Sequence, residues 1–185
     1  MKKHWVVLLL PAILMVVIVL SGFYYLQQDE EMTNEELKEE IEITAKRIED
    51  GMVEIEWEWP KMPVEGIYGT DYIGIAFDEA EANEVGIVTL LVEPERSMDG
   101  ERVDNGFIYS FPTTMEEHQS VGTKGKIIQD IPDDASEVTV SLLHTWTSHS
   151  ELTREDAFFS DPTFGTAENV QYWVQSKELS DLLEN

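Results

Sequence analysis

The chain has 185 residues, no cysteine, and 38 acidic against 12 basic side chains, a formal net charge of −26. Without thiols there can be no disulfide, no zinc–thiolate centre, no thiol nucleophile and no acylated lipoprotein cysteine. Such a charge repels nucleic acid and anionic surfaces, so nucleic acid is not an expected partner, and it keeps the chain hydrated in salty or alkaline surroundings.

Residues 5–26, Trp5 through Leu26, are an apolar run without a charged side chain, preceded by Lys2 and Lys3 and followed by Asp29, Glu30 and Glu31. As a helix at 1.5 Å per residue the run is about 33 Å long, enough for a hydrocarbon core of about 30 Å. The lysines keep the N-terminus cytoplasmic, and Tyr24 and Tyr25 suit the outer interface. The competing reading is a secretory signal peptide cut after Ser21, but this run is longer than the ~7–15 residues of a signal-peptide core. The expectation is a single-pass protein of the cell membrane, with 1–4 as cytoplasmic tail and 5–26 as an uncleaved transmembrane signal-anchor whose partner is the lipid bilayer. From residue 29 onward there are 38 acidic and 10 basic side chains, so the exported part is the anionic part.

Residues 27–51 read as a stalk. Thr33 with Glu36 has the pattern of a capping box, and Leu37, Ile41, Thr44 and Ile48 follow at helical spacing, with Glu42 and Lys46 paired four apart and Gly51 as a stop. The spacing predicts one helix of about 17 residues that docks on the next domain.

The period changes to two after Gly51. Val53, Ile55, Trp57 and Trp59 alternate with Glu54, Glu56 and Glu58, which predicts a half-buried strand ended by Pro60. Further strands are predicted at 72–77, 85–92, 107–111, 124–129, 138–147 and 170–174, separated by turn signals at Asp99-Gly100, Asn105-Gly106 and Pro132-Asp133-Asp134. Residues 52–177 are therefore expected to be a mostly β domain, an antiparallel β-sandwich, with much of its core from Trp57, Trp59, Tyr72, Phe77, Tyr109, Phe111, Trp146, Tyr172 and Trp173. The strand–turn–strand order from Gly125 to Trp146 resembles that of immunoglobulin-like exported modules, a likeness of architecture only. Residues 178–185 form a C-terminal tail; from Lys177 on, Leu179, Leu182 and Leu183 allow a short docking helix.

Candidate sites are weighed against plain structural roles. His144 and His149, with His118, are considered as metal ligands, but an odd separation on one strand points the first two to opposite faces, and His144 shares the parity of Val140 and Leu142. It reads as a hydrogen-bonded core or edge histidine. Asp78, Glu79, Glu81 and Glu84, and Asp99, Glu101 and Asp104, are acidic loops without the spacing of a calcium loop, so a metal site stays undetermined and no cofactor is expected. No nucleophile elbow, zinc-protease motif or phosphate loop is present, so a non-enzymatic chain is expected. Phe158, Phe159 and Phe164 fall in a loop where Thr153 and Asp156 are placed to cap a helical turn. They are read either as a plug over one open end of the sandwich or as a surface for another protein. The functional expectation is a membrane-anchored extracytoplasmic accessory or interaction module; the alternatives are a ligand-binding or sensor domain acting through membrane partners, and a hydrolase whose site is not recognisable in sequence.

Overall fold

The computed structural model describes residues 5–28, 31–48, 51–77, 84–132, 135, 137–149, 152–153 and 156–183. The chain divides into two units, Met1–Glu31 and Met32–Asn185, each taken by itself. In the first, helix α1 runs Trp5–Gln28 over 24 residues, with Pro11 inside it. Its described side chains, Leu9 and those of 11–22, are exposed. Among the described residues no helix is long and apolar enough to cross a membrane, and those side chains make up only part of the length of α1. The transmembrane reading of residues 5–26 is therefore not carried by the described residues.

The second unit holds, in chain order, α2 (Asn34–Glu40), β1 (Glu42–Arg47), β2 (Met52–Glu58), β3 (Tyr68–Ala76), β4 (Ile87–Leu90), β5 (Arg96–Asp99), β6 (Glu101–Val103), β7 (Gly106–Glu116), β8 (Gln119–Val121), β9 (Lys124–Asp130), β10 (Thr139–Thr145), β11 (Tyr172–Glu178) and α3 (Leu179–Leu182). Sheet A has the order β1-β2-β9-β4-β5; sheet B has β11-β10-β3-β7-β6, with β8 beside β7. All the strand pairs are antiparallel.

Alternation explains why the two sheets meet. Val53, Ile55 and Trp57 of β2 and Ile127 of β9 turn one way from sheet A. Ile73 and Ile75 of β3, Phe107, Tyr109 and Phe111 of β7, Val140 and Leu142 of β10, and Trp173 of β11 turn toward them from sheet B, and all belong to one buried cluster. This is the arrangement of a β-sandwich. Trp57 closes it, its ring stacked on Phe111 at 4.7 Å and its indole N–H donating to the Gly122 carbonyl at 2.9 Å. Residue 125 must be glycine beneath that ring, since a Cβ there would lie 2.4 Å from it.

The helix predicted over residues 33–51 is corrected. The capping box is present, Thr33 N donating to Glu36 Oε2 at 2.9 Å and Glu36 N to Thr33 Oγ1 at 3.2 Å, but α2 has seven residues and gives way to strand β1. Leu37 and Ile41 satisfy either period; beyond them Ile43 and Ala45 are buried and Thr44 is exposed, which is period two. β-branched Ile41, Ile43 and Thr44 favour that choice, and the ladder Ile43↔Trp57, Ala45↔Ile55 secures it. Residues 32–47 are therefore an edge of the sandwich and not a stalk. Instead of the expected Glu42–Lys46 pair, Lys46 reaches Glu54 at 2.5 Å and Glu56 at 2.8 Å across the strands. With Lys124–Glu58 and Lys126–Glu54 these pairs cover the outer face of sheet A with compensating charge.

The seven predicted strands all have counterparts, with shifted ends: β10 stops at Thr145, and β11 runs two residues later than expected at its start and four at its end. Gly100 lies where the chain leaves sheet A for sheet B, and Asn105-Gly106 turns β6 into β7. The turn at Asp133-Asp134 lies outside the described residues. Trp146 is only half-buried and Tyr172 is 40% exposed, so neither fills the core as expected. Leu179 and Leu182 of α3 are buried, and Leu183 bridges to Ala45 beside β1.

Sheet B is covered on its outer face as well. Leu152, Ala157, Phe159 and Phe164, from the segment between β10 and β11, form a second cluster with Tyr72, Ala76, Ile108 and Leu143. The segment is a strap across the sheet rather than a plug in an open end.

Candidate functional site

Two polar assemblies lie at the end of sheet B where β3 begins and β10 ends, one on each face. Asp71 shares the inward parity of Ile73 and Ile75; His144 shares that of Val140 and Leu142. Pairing of Tyr72 with Leu143 and of His144 with Trp173 sets the imidazole between Asp71 and an indole. Its Nδ1 is 2.9 and 3.0 Å from the two Asp71 oxygens and its Nε2 is 3.0 Å from Asn34 Oδ1. Both His144 and Asn34 are wholly buried and Asp71 is 1% exposed. Trp59, Trp146 and Trp173 surround the ring at centroid distances of 5.0, 5.5 and 5.1 Å.

Proton positions follow from the partners. Asn34 Nδ2 donates to Glu65 Oε2 at 2.9 Å, which turns Oδ1 toward His144, so Nε2 carries a hydrogen. A second proton lies between Nδ1 and the Asp71 carboxylate, which also accepts from Thr145 N–H at 3.0 Å. Trp173 Nε1 donates to the Asn34 carbonyl at 2.7 Å, and Asn34 N–H donates to Glu65 at 2.8 Å. The network thus ties α2 to β3, β10 and β11. His144, Asp71 and Asn34 at its centre are closed to solvent, Glu65 at its rim is exposed, and both imidazole nitrogens are engaged.

On the outer face, Thr145 Oγ1 donates to the Thr70 carbonyl at 2.8 Å, and His149 rests beside Tyr72 and Phe164. His149 Nδ1 lies 3.0 Å from the Thr147 carbonyl, which can only accept, so Nε2 accepts from Tyr72 O–H at 3.2 Å. His144 and His149 are therefore on opposite faces, although β10 ends at Thr145 and the alternation of a single strand does not reach His149. Next to His149 lies an open cleft of about 210 Å³, lined by Tyr68, Gly69, Thr70, Thr114, Ser148 and His149. None of these carries a carboxylate, ammonium or guanidinium group, although acids outnumber bases by 38 to 12 in the chain.

Of the residues expected to meet a partner, Phe159 and Phe164 are 3% and 5% exposed and are used by the strap; Phe158 is 41% exposed. The space beneath this loop is filled by Leu152, Ala157 and Phe159. Thr153 and Asp156 do not cap a helix. Thr153 pairs with Thr163, while Asp156 accepts from the amides of Phe158 at 2.9 Å and Ser160 at 3.1 Å. Asn105, in the β6–β7 turn, donates to Asp156 at 2.9 Å and accepts from Ala157 N–H at 3.0 Å, tacking the strap to the sheet.

Asp78, Glu79 and Glu81 lie outside the described residues. Asp99 and Glu101 fall on strands of different sheets. Among the described residues no group of three or more His, Asp or Glu converges on a point that could hold a metal ion. His118 is exposed in the turn between β7 and β8. Asp71, Asn34, Glu65 and Gln129 escaped the sequence reading. Gln129 is fully buried, accepts from Tyr109 O–H and from Gly86 N–H at 2.9 Å, and donates to the Glu84 and Asp130 carbonyls. Parity with Ile127 was the available signal for Gln129, as parity with Ile73 was for Asp71.

The pH response has a definite sign. Partial burial pushes the Asp156 carboxyl up, but hydrogen bonds from Phe158, Ser160 and Asn105 outweigh it and hold the group below the ordinary aspartate range. Hydrogen bonds with Thr33 lower Glu36, and the Arg96 guanidinium lowers Glu116. Groups depressed in the folded state stabilise fully above their unfolded values, about 4, and lose that contribution as pH falls through the folded values. Thermal stability is expected to fall as acid carries the protein below about pH 4, and Asp156→Asn to make that fall shallower. An identical pH slope in the variant would refute the role of Asp156.

No family model, curated protein or solved structure matches this chain.

Proposed function

We propose that the chain is a single-pass membrane protein whose extracytoplasmic β-sandwich, immunoglobulin-like in its crossing from β9 in one sheet to β10 in the other, acts by binding and not by catalysis. The observation that supports placement most is the uncharged run 5–26, with Lys2 and Lys3 before it and a strongly acidic chain after it. Exposed apolar side chains along α1, such as Met15, Val19 and Leu20, fit a helix that takes lipid as its solvent. The binding reading is supported by the engaged nitrogens of His144 and His149 and by the open cleft beside the latter.

Full-length protein with a C-terminal epitope tag tests the placement. It is expected to stay in the membrane pellet through alkaline carbonate and to lose its tag when intact cells are treated with protease. A tagged protein in the soluble fraction, or one protected in intact cells and digested only after lysis, would overturn it.

A further inference from the structure

The outer face of sheet B has two halves of different character. Around Gly74 the strap covers it, and Leu152, Phe159 and Phe164 are buried against the strands. Toward the start of β3 the face stays open as the cleft of Tyr68, Thr70, Thr114, Ser148 and His149. Tyr68 is 61% exposed at its wall. The cross-strand pair Tyr68↔Thr114 places the ring and a hydroxyl side by side. Thr70, Thr114 and Ser148 add three hydroxyl groups to the lining of the cleft.

Chemistry narrows the occupant. A phosphate or carboxylate would need a lysine or arginine partner, and the described residues of the lining include neither. A divalent cation would need several anionic or carbonyl oxygens, and no described residue lining the cleft carries a carboxylate. A wholly apolar molecule would take the three hydroxyls out of water with nothing to replace it. What fits is an uncharged ring that has both an apolar C–H face, to lie on Tyr68, and several hydroxyls, to exchange water for Thr70, Thr114 and Ser148. The cleft is smaller than the roughly 300–1,000 Å³ of drug-sized pockets, which limits it to about one such ring.

The walls are preorganised. Tyr72 and the Thr147 carbonyl hold His149 by its two nitrogens, Thr145 ties itself to the Thr70 carbonyl, and on the opposite face Asp71 and His144 lock the same ends of β3 and β10. Rigid walls reduce the ordering cost of binding.

We infer that this cleft binds a neutral saccharide residue, with Tyr68 as its platform and Thr70, Thr114 and Ser148 as its hydroxyl partners. The inference rests on the binding reading of the sandwich but not on its membrane placement, which fractionation tests separately. Saturation-transfer NMR on the full-length chain, in a zwitterionic detergent without a sugar headgroup, tests it with glucose, galactose, mannose and N-acetylglucosamine, and with glucuronate as the anionic comparison. Transfer is expected to the ring C–H protons of at least one neutral sugar and not to glucuronate. Tyr68→Ala is expected to weaken binding about tenfold or more, Thr114→Val by less, and Phe158→Ala not at all. Tyr68→Ala should leave the melting temperature in place, because the ring is mostly exposed. No transfer from any neutral sugar, equal transfer to glucuronate, or undiminished transfer in a folded Tyr68→Ala protein would overturn the assignment.

Discussion

His144→Leu is expected to destabilise the sandwich by about 3–5 kcal/mol, because it breaks a buried pair from one side. The variant keeps Asp71 buried with the Thr145 amide still donating to it at 3.0 Å, and leaves Asn34 Oδ1 without the donor that His144 supplies. Leucine cannot repay this through packing, since three indoles already enclose the ring. For a domain of this size each kcal/mol shifts the midpoint by about 2–4 °C, so a loss of roughly 6–20 °C should be read in thermal melts of the full-length protein. Because the pair is shielded from solvent, the loss should be nearly the same at about 0.1 and 1 M salt, unlike that from the exposed Lys–Glu pairs of sheet A.

Asp71→Leu combined with His144→Leu separates pairing from burial. Removing both partners takes away the stranded carboxylate, so the double variant is expected to be less destabilised than the sum of the singles, with a coupling of about 1–3 kcal/mol. Additive losses, or a single-variant cost below about 1 kcal/mol, would refute a proton-sharing pair between Asp71 and His144.

The parts legible in sequence are those in which one period rules a whole element. Glu54, Glu56 and Glu58 between Val53, Ile55 and Trp57 could only be a strand with one charged face, on which Lys46 and Lys126 cover Glu54. The same logic places Val140, Leu142 and His144 together, but it does not reach His149, which lies beyond the end of β10. Ambiguity entered where two periods share residues: Leu37 and Ile41 fit helix and strand alike, and the deciding partner, β2, lies on the far side of a turn in the chain. Short strands such as β5, β6 and β8, of four, three and three residues, carry too few positions for any period. The polar assemblies were hidden for a different reason. A lone aspartate or glutamine in a strand is ordinarily read as its solvent side, and only its parity relative to core neighbours marks Asp71 or Gln129 as inward. Asn34 and Glu65 meet His144 through tertiary proximity alone, 110 residues separating Asn34 from the histidine it binds. The three phenylalanines were visible as an unusual cost in water, but which of them turned inward depended on the face of sheet B beneath them.

Gly74→Ala tests that covering face by the sign of its effect. Gly74 keeps an ordinary strand backbone, so on an open sheet alanine would stabilise by about 0.4–1 kcal/mol through the unfolded chain. Here the added Cβ would lie 2.0 Å from the Ala157 carbonyl oxygen and 2.8 Å from its carbon. Backbone cannot yield as the end of a flexible side chain can, so the strap must lift, exposing Phe159, Phe164 and Leu152 with the surface they cover on Tyr72, Ala76 and Leu143. The expected loss is about 3 kcal/mol, at the upper end of the cost of overpacking. It should be local first: chymotrypsin cuts sooner at Phe158, Phe159 and Phe164, and the amides of 157–160 exchange faster, while the β2–β9 ladder stays protected. Phe164 also packs on His149 at 4.8 Å, so a lifted strap frees one wall of the cleft and weakens whatever binds there. A stabilised Gly74→Ala protein with unchanged cleavage would mean that the strap does not rest on β3, and with it would go the rigid wall on which the saccharide assignment depends.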